Sequence, residues 1–193
     1  GARHITYDAR SVYGMQVANS RSFGMAVIPS YDFSNVETVV SFAADFMGTW
    51  ISPIAFTKQF SKTRKLGKDK KTMSRHYQFE ALLSLTGANA DYRSKIKASQ
   101  EGIVIGNLYN LLASKAGASS INVPEMEVKF LKKAADDLWT NRGQSMVVSG
   151  SNDPYVQELV NNINILLGAY EAGMIDLNTP VYYRQGNDQE MFQ

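Results

Sequence analysis

Three short runs, VETVVSF (36–42), SRHYQFE (74–80) and SMVVS (145–149), carry the residue types of strands, and enough chain separates each from the next for a helical crossover. That alternation constrains the fold more than any other feature. Strands joined by crossovers lie parallel, and a parallel sheet has to be covered on both faces. The sequence therefore predicts an α/β domain, a Rossmann-like, open and mostly parallel sheet with helices on both faces. Three clear strands are few for a doubly wound sheet.

The intervening segments read as helices. One is expected from about Ser52 to Lys65, opened by Pro53 in its first turn, and another from about Ser99 to Lys115. A third starts at Pro124, places Val128, Leu131, Ala135, Leu138 and Trp139 on one face, and ends before Gly143. In the last, Val156, Leu159, Val160, Ile163, Leu166 and Leu167 follow helical spacing, and Gly168 lies past its end. Residues 1–30 read as an irregular or helical lead-in and 170–193 as an extended tail. With Gly1 in place of an initiator methionine, the expectation is a single domain, 1–193, cut from a longer chain.

Composition removes several classes of function. There is no cysteine, so this chain builds no disulfide framework, thiolate zinc site or iron–sulfur cluster, and His4 and His76 are too few for a histidine-rich metal site. No apolar run reaches the roughly 18 residues of a membrane-spanning helix. A net charge of +2 is too small to imply nucleic acid.

Two strand-to-helix turns are the places to look for a ligand, since open parallel sheets bind beyond the carboxyl ends of their strands. In GSNDPYVQ (150–157), Asp153 precedes Pro154 and is placed to cap the helix, where an anionic ligand would otherwise sit. A simple N-cap is the preferred reading over a phosphate site. In AADFMGTWISP (43–53), Phe46, Met47 and Trp50 surround a single Gly48, which favours an apolar contact surface, with a hydrophobic small-molecule pocket as the alternative.

The basic run from Lys58 to Arg75 includes Lys62, Arg64 and Lys65 and is opposed only by Asp69. It reads as a solvated loop or subunit contact, since such runs are solvated by default and there is no clear aromatic interleaving of the kind that stacks bases. SLTGANADYR (84–93) brings Asn89 and Asp91 near Arg93, a combination that reads as a turn. Neither histidine has a sequence-local partner for a nucleophile relay, and no G-x-S-x-G elbow occurs.

Four segments, YDFSNVETVVSFAADFMGTWISP, FTKQFSKTRKL, MSRHYQFEALLSLTGANADYR and MVVSGSNDPYVQELVNNINILLG, occur in an order that resembles the molybdopterin oxidoreductase family. The resemblance is nearest to the molybdopterin-like half of the large iron–sulfur subunit of bacterial alternative complex III, and covers most of residues 30–168. It implies a Rossmann-like subdomain in which one strand-to-helix loop, usually with glycine, asparagine and proline, holds the nucleotide arm of the pterin. The matching loop here is ADFMGTWISP, with Phe46 and Met47 in place of small residues. A second family loop carries aspartate-proline-arginine. Here Glu80 stands near the acidic position and no Pro-Arg follows.

Both departures point away from pterin binding, as in close relatives taken to have lost the cofactor. The resemblance thus implies a scaffold and docking domain with no cofactor and no catalytic or metal-binding residue of its own. It would belong to a quinol-oxidising respiratory complex on the periplasmic side of the bacterial inner membrane. Iron–sulfur clusters would lie elsewhere in the parent chain, and the partners would be other domains of that chain and haem-bearing or membrane subunits. The expected interface residues are Phe46, Met47, Trp50, Lys62, Arg64 and Lys65. The alternative is a molybdopterin-guanine-dinucleotide-binding domain of an active oxidoreductase, with Gly48, Thr49, Glu80, Gly150 and Ser151 lining the nucleotide arm. A nucleic-acid binder is a third possibility, marked by steep salt dependence.

Overall fold

The computed structural model describes residues 2–68 and 70–191. Its centre is a four-stranded sheet, every neighbouring pair parallel, built from β2 (Thr38–Phe42), β3 (Arg75–Glu80), β4 (Tyr92–Lys95) and β5 (Ser145–Ser149) in the order β4-β3-β2-β5. The chain runs from β2 outward to β4, then crosses back to place β5 on the other side of β2. The order therefore reverses between β2 and β5, which is where a Rossmann-like sheet opens its crevice.

Helix α2 (Pro53–Arg64) joins β2 to β3, while α4 (Glu101–Ala116) and α5 (Leu131–Thr140) join β4 to β5, and α6 (Pro154–Leu167) follows β5. One face of the sheet, with Val40, Phe42, Tyr77, Phe79 and Val147, packs on Ile105, Leu108 and Leu112 of α4, Leu138 of α5 and Ile163 and Leu167 of α6. The opposite face presents Val39, Met146 and Val148 to Phe56 and Phe60 of α2 and to Phe33, Phe46 and Trp50 from loops. Burial on both faces is why every residue of β2 and β5 is inaccessible, as parallel strands require.

Three expectations are corrected. The stretch expected to end as a turn at Asp91–Arg93 holds a fourth strand, β4, after the single-turn helix α3 (Leu85–Ala88). Four residues with two charged members carry too little apolar pattern to read as a strand, and pairing with β3 decides the matter. The helix expected from Pro124 starts at Leu131. Residues 118–128 form neither helix nor strand, and Asn107 and Asn110 of α4 bond their backbone instead: Asn107 Nδ2 to Pro124 O, Asn107 Oδ1 from Met126 N, and Asn110 with both Ile121 N and O.

The expected extended tail is partly ordered against the lead-in. The lead-in carries α1 (Tyr13–Phe23) and the two-residue β1 (Ser30–Tyr31), which pairs antiparallel with β6 (Ile175–Asp176) of the tail, and the tail ends in α7 (Asp188–Met191). Backbone bonds from Val181 to Ile28 and from Asn187 to Thr6 tie the two chain ends together.

Candidate functional site at the carboxyl end of the sheet

The crevice between β2 and β5 is filled by the chain's own groups. Gly150 donates its N–H to Phe42 O at 2.8 Å, and a methyl group built on Gly150 would sit 2.5 Å from Ala43 O. The two loops are thus in backbone contact, and glycine at 150 serves that contact. Ser151 is spent inside the turn: its N–H donates to Ser149 Oγ, its hydroxyl accepts from Asp153 N, and its carbonyl accepts from the buried Gln157 amide. Asp153 caps α6 by accepting from Tyr155 N at 2.8 Å, as its place before Pro154 predicts. Over the turn lies α1, where Gly14 N–H donates to Asn152 Oδ1. Beneath it, Ser149 donates to Glu101, whose burial pushes its carboxyl up against the opposing effect of that hydrogen bond.

The loop after β2 is organised by Asp45, a residue the sequence reading did not single out. Its carbonyl accepts from Gly48, Thr49 and Trp50 N–H groups, and its carboxylate accepts from Thr86 N, Thr86 Oγ1 and Thr49 Oγ1. A side chain at Gly48 would collide with that carboxylate. Met47 N–H donates in turn to Thr86 Oγ1, so the loops after β2 and β3 are laced together. The left-handed backbone of Ala43 (φ 50°) and of the β-branched Ile51 (φ 50°) brackets this loop.

Glu80, at the end of β3, is buried and fully engaged. Arg93 Nε lies 2.6 Å from Oε1, Ser84 donates both its hydroxyl and its N–H, and Gln78 Nε2 donates at 3.0 Å. Burial alone would push this carboxyl up, but the bonds from Ser84 and Arg93 outweigh it and hold Glu80 below the usual carboxylate range. Gln78 also meets His76 Nε2 at 3.1 Å, while His76 Nδ1 has no partner among the described residues. Burial lowers the His76 pKa to about 4, so the ring is neutral between Phe46 and Phe60.

The expected interface residues divide. Phe46 and Trp50 are buried: Phe46 stacks on Phe33 at 4.7 Å, and Trp50 meets Tyr31 and Phe56, so their apolar area covers this chain's own sheet and they form no docking surface. Met47 is partly covered by the same cluster. Arg64 is committed to Asp91 through two contacts of 2.6 and 2.8 Å, whereas Lys62 and Lys65 point to solvent. Lys70 and Arg75 of the basic run pair with Glu37 and Asp137, and Asp69 lies outside the described residues. The exposed apolar groups at this end of the sheet are others: Ile54 at the start of α2 (88% accessible), and Leu82, Leu83 and Leu85 after β3 (83%, 67% and 56%).

These residues do not fit a pterin nucleotide arm. Asp45 presents a carboxylate in the loop where phosphate would approach, Gly150 is pressed on Ala43, and the polar atoms of Ser151 and Glu80 are spent on the chain itself. Among the described residues no three His, Cys, Asp or Glu side chains group as metal ligands, and no helix is long and apolar enough to cross a membrane. Comparison with protein-family models and with curated proteins finds no match to this chain.

Proposed function

We propose that this chain is a cofactor-less scaffold and docking domain in the large subunit of a membrane-associated, quinol-oxidising respiratory complex, on the periplasmic side of the bacterial inner membrane. The observation that carries the cofactor-less half of this reading is the plugged crevice between β2 and β5. The four-segment resemblance carries the assignment to a respiratory subunit. Docking falls to Ile54, Leu82, Leu83 and Leu85, since a group of large apolar side chains this accessible at one end of a domain is characteristic of a covered surface. Iron–sulfur clusters would be carried by another part of the parent chain.

Two measurements on the native full-length protein test the two halves separately. Elemental analysis for molybdenum and tungsten, with fluorescence of released pterin, is expected to give far less than one equivalent. A stoichiometric yield of both removes the scaffold reading. Replacing Leu82 and Leu83 together by serine is expected to release haem-bearing or membrane subunits on purification while leaving the melting temperature within a few degrees, because exposed positions contribute little to stability. Retention of all subunits by that variant removes the docking surface.

A further inference from the structure

The two edges of the sheet are treated differently by the sequence. At the β5 edge, the side-chain amide of Asn164 imitates a neighbouring strand: it accepts from Val147 N at 2.9 Å and donates to Val147 O at 2.8 Å, and Gln157 donates to Ser149 O at 3.1 Å. That edge is closed to pairing.

The β4 edge has no such cover. Phe79 O accepts from Ala43 N and so faces β2, while Glu80 O accepts from Ile96 N and faces β4. Alternation along the strands then turns the backbone groups of Tyr92, Ser94 and Ile96 toward β3 and those of Arg93 and Lys95 outward. Among the described residues no donor or acceptor meets the outward N–H and C=O groups of Arg93 and Lys95. The segment Met126–Lys129 does not fill the place of a fifth strand. Ser94, whose side chain lies on the α4/α5 face, donates to Lys129 O, so the segment passes over that face. Beside the edge it leaves a cleft of about 400 Å³, lined by Arg93, Lys95, Ile96, Met126, Val128 and Lys129 among others.

We infer that this edge receives an extended, acidic segment of another polypeptide as a fifth strand, its backbone pairing with Arg93 and Lys95 and its alternate carboxylates facing Lys95 and Lys97. Charge selects this occupant. The Arg93 guanidinium is answered internally by Glu80, whereas Lys95, Lys97 and Lys129 are exposed and form no ion pair among the described residues. Glu127 is the one acidic side chain on the cleft wall among the described residues. A second copy of this chain would set the same lysines against each other across the new pair, and like charges opposite one another destabilise a sheet. Strand addition supplies affinity through the backbone and selectivity through alternate side chains. The site lies at the sheet's edge, uses none of Ile54, Leu82, Leu83 and Leu85, and does not depend on the scaffold reading.

The test uses hydrogen exchange of the intact protein, read by mass over residues 92–97, with a short blocked peptide alternating glutamate and threonine and with its lysine-for-glutamate counterpart. The acidic peptide is expected to slow exchange in 92–97 by about tenfold and to leave 145–149 unchanged, while the basic peptide has no effect. Lys95→Pro removes an outward N–H that makes no bond within the sheet. It is expected to abolish the protection with the melting temperature preserved. Lys95→Glu is expected to transfer the preference to the basic peptide. Equal protection by both peptides, protection by neither, or protection that rises with protein concentration alone, as a second copy would produce, overturns the inference.

Discussion

The two faces of the sheet bury comparable side chains by different means. On one, Val40, Phe42, Tyr77, Phe79 and Val147 meet the regular faces of α4, α5 and α6, and the contact is almost wholly apolar. On the other, β3 presents His76, Gln78 and Glu80 in a row beneath Phe46, Phe60 and the loops around Asp45. A face covered by helices needs only complementary shape. A face covered partly by loops has backbone donors and acceptors to satisfy, and here polar side chains on the sheet and its flanking turns do so. The first face should therefore respond to lost volume and the second to lost partners and to pH.

The largest effect expected is on the apolar face. Phe79→Ala removes a ring stacked on Phe42 at 5.0 Å and should cost about 4 kcal/mol, lowering the melting temperature by roughly 10 °C in calorimetry. On the other face, Glu80→Ala strands the Arg93 guanidinium and the Ser84 and Gln78 donors, and should cost about 3 kcal/mol in denaturant unfolding. A loss below about 1 kcal/mol would mean that the row is incidental and the two faces are alike.

Acid should separate the faces further. His76 has its pKa lowered to about 4 in the fold, below its unfolded value, so its neutral form is favoured and the unfolded chain takes up the proton first. The stability it protects is complete above about pH 6.5 and is lost as pH falls toward 4, with about 2 kcal/mol gone by pH 5. His76→Gln should flatten that part of the stability profile, measured by chemical denaturation at a series of pH values. Glu80 and Asp91, held below the usual carboxylate range, act in the same direction at lower pH. The smallest effect is at the loop that covers the polar face: Ala43→Gly should relieve its left-handed backbone and raise stability by about 0.5–1 kcal/mol. No gain in that variant would mean that the loop carries no backbone strain to relieve.

The candidate site was legible only in part. Asp153 could be read as a cap because a cap is a local device, two residues from the N–H it serves. Phe46 and Trp50 were conspicuous for their size, but size does not say which side of a loop faces the sheet, and both turned inward. Asp45, Thr86 and Gln157 gave no signal, since each acts on groups that only folding brings near.

Periodicity and punctuation determined by themselves the three long strands, the helices α2, α4 and α6, and hence the parallel α/β class. Those features arise from interactions within a few residues, which a linear pattern records. Tertiary structure alone decided that a charged tetrapeptide becomes β4, that Pro124 begins no helix, and that one sheet edge is sealed by Asn164 while the other stays open. Each of these depends on hydrogen bonds between residues far apart in the chain, whose formation follows from packing and leaves no mark in local composition.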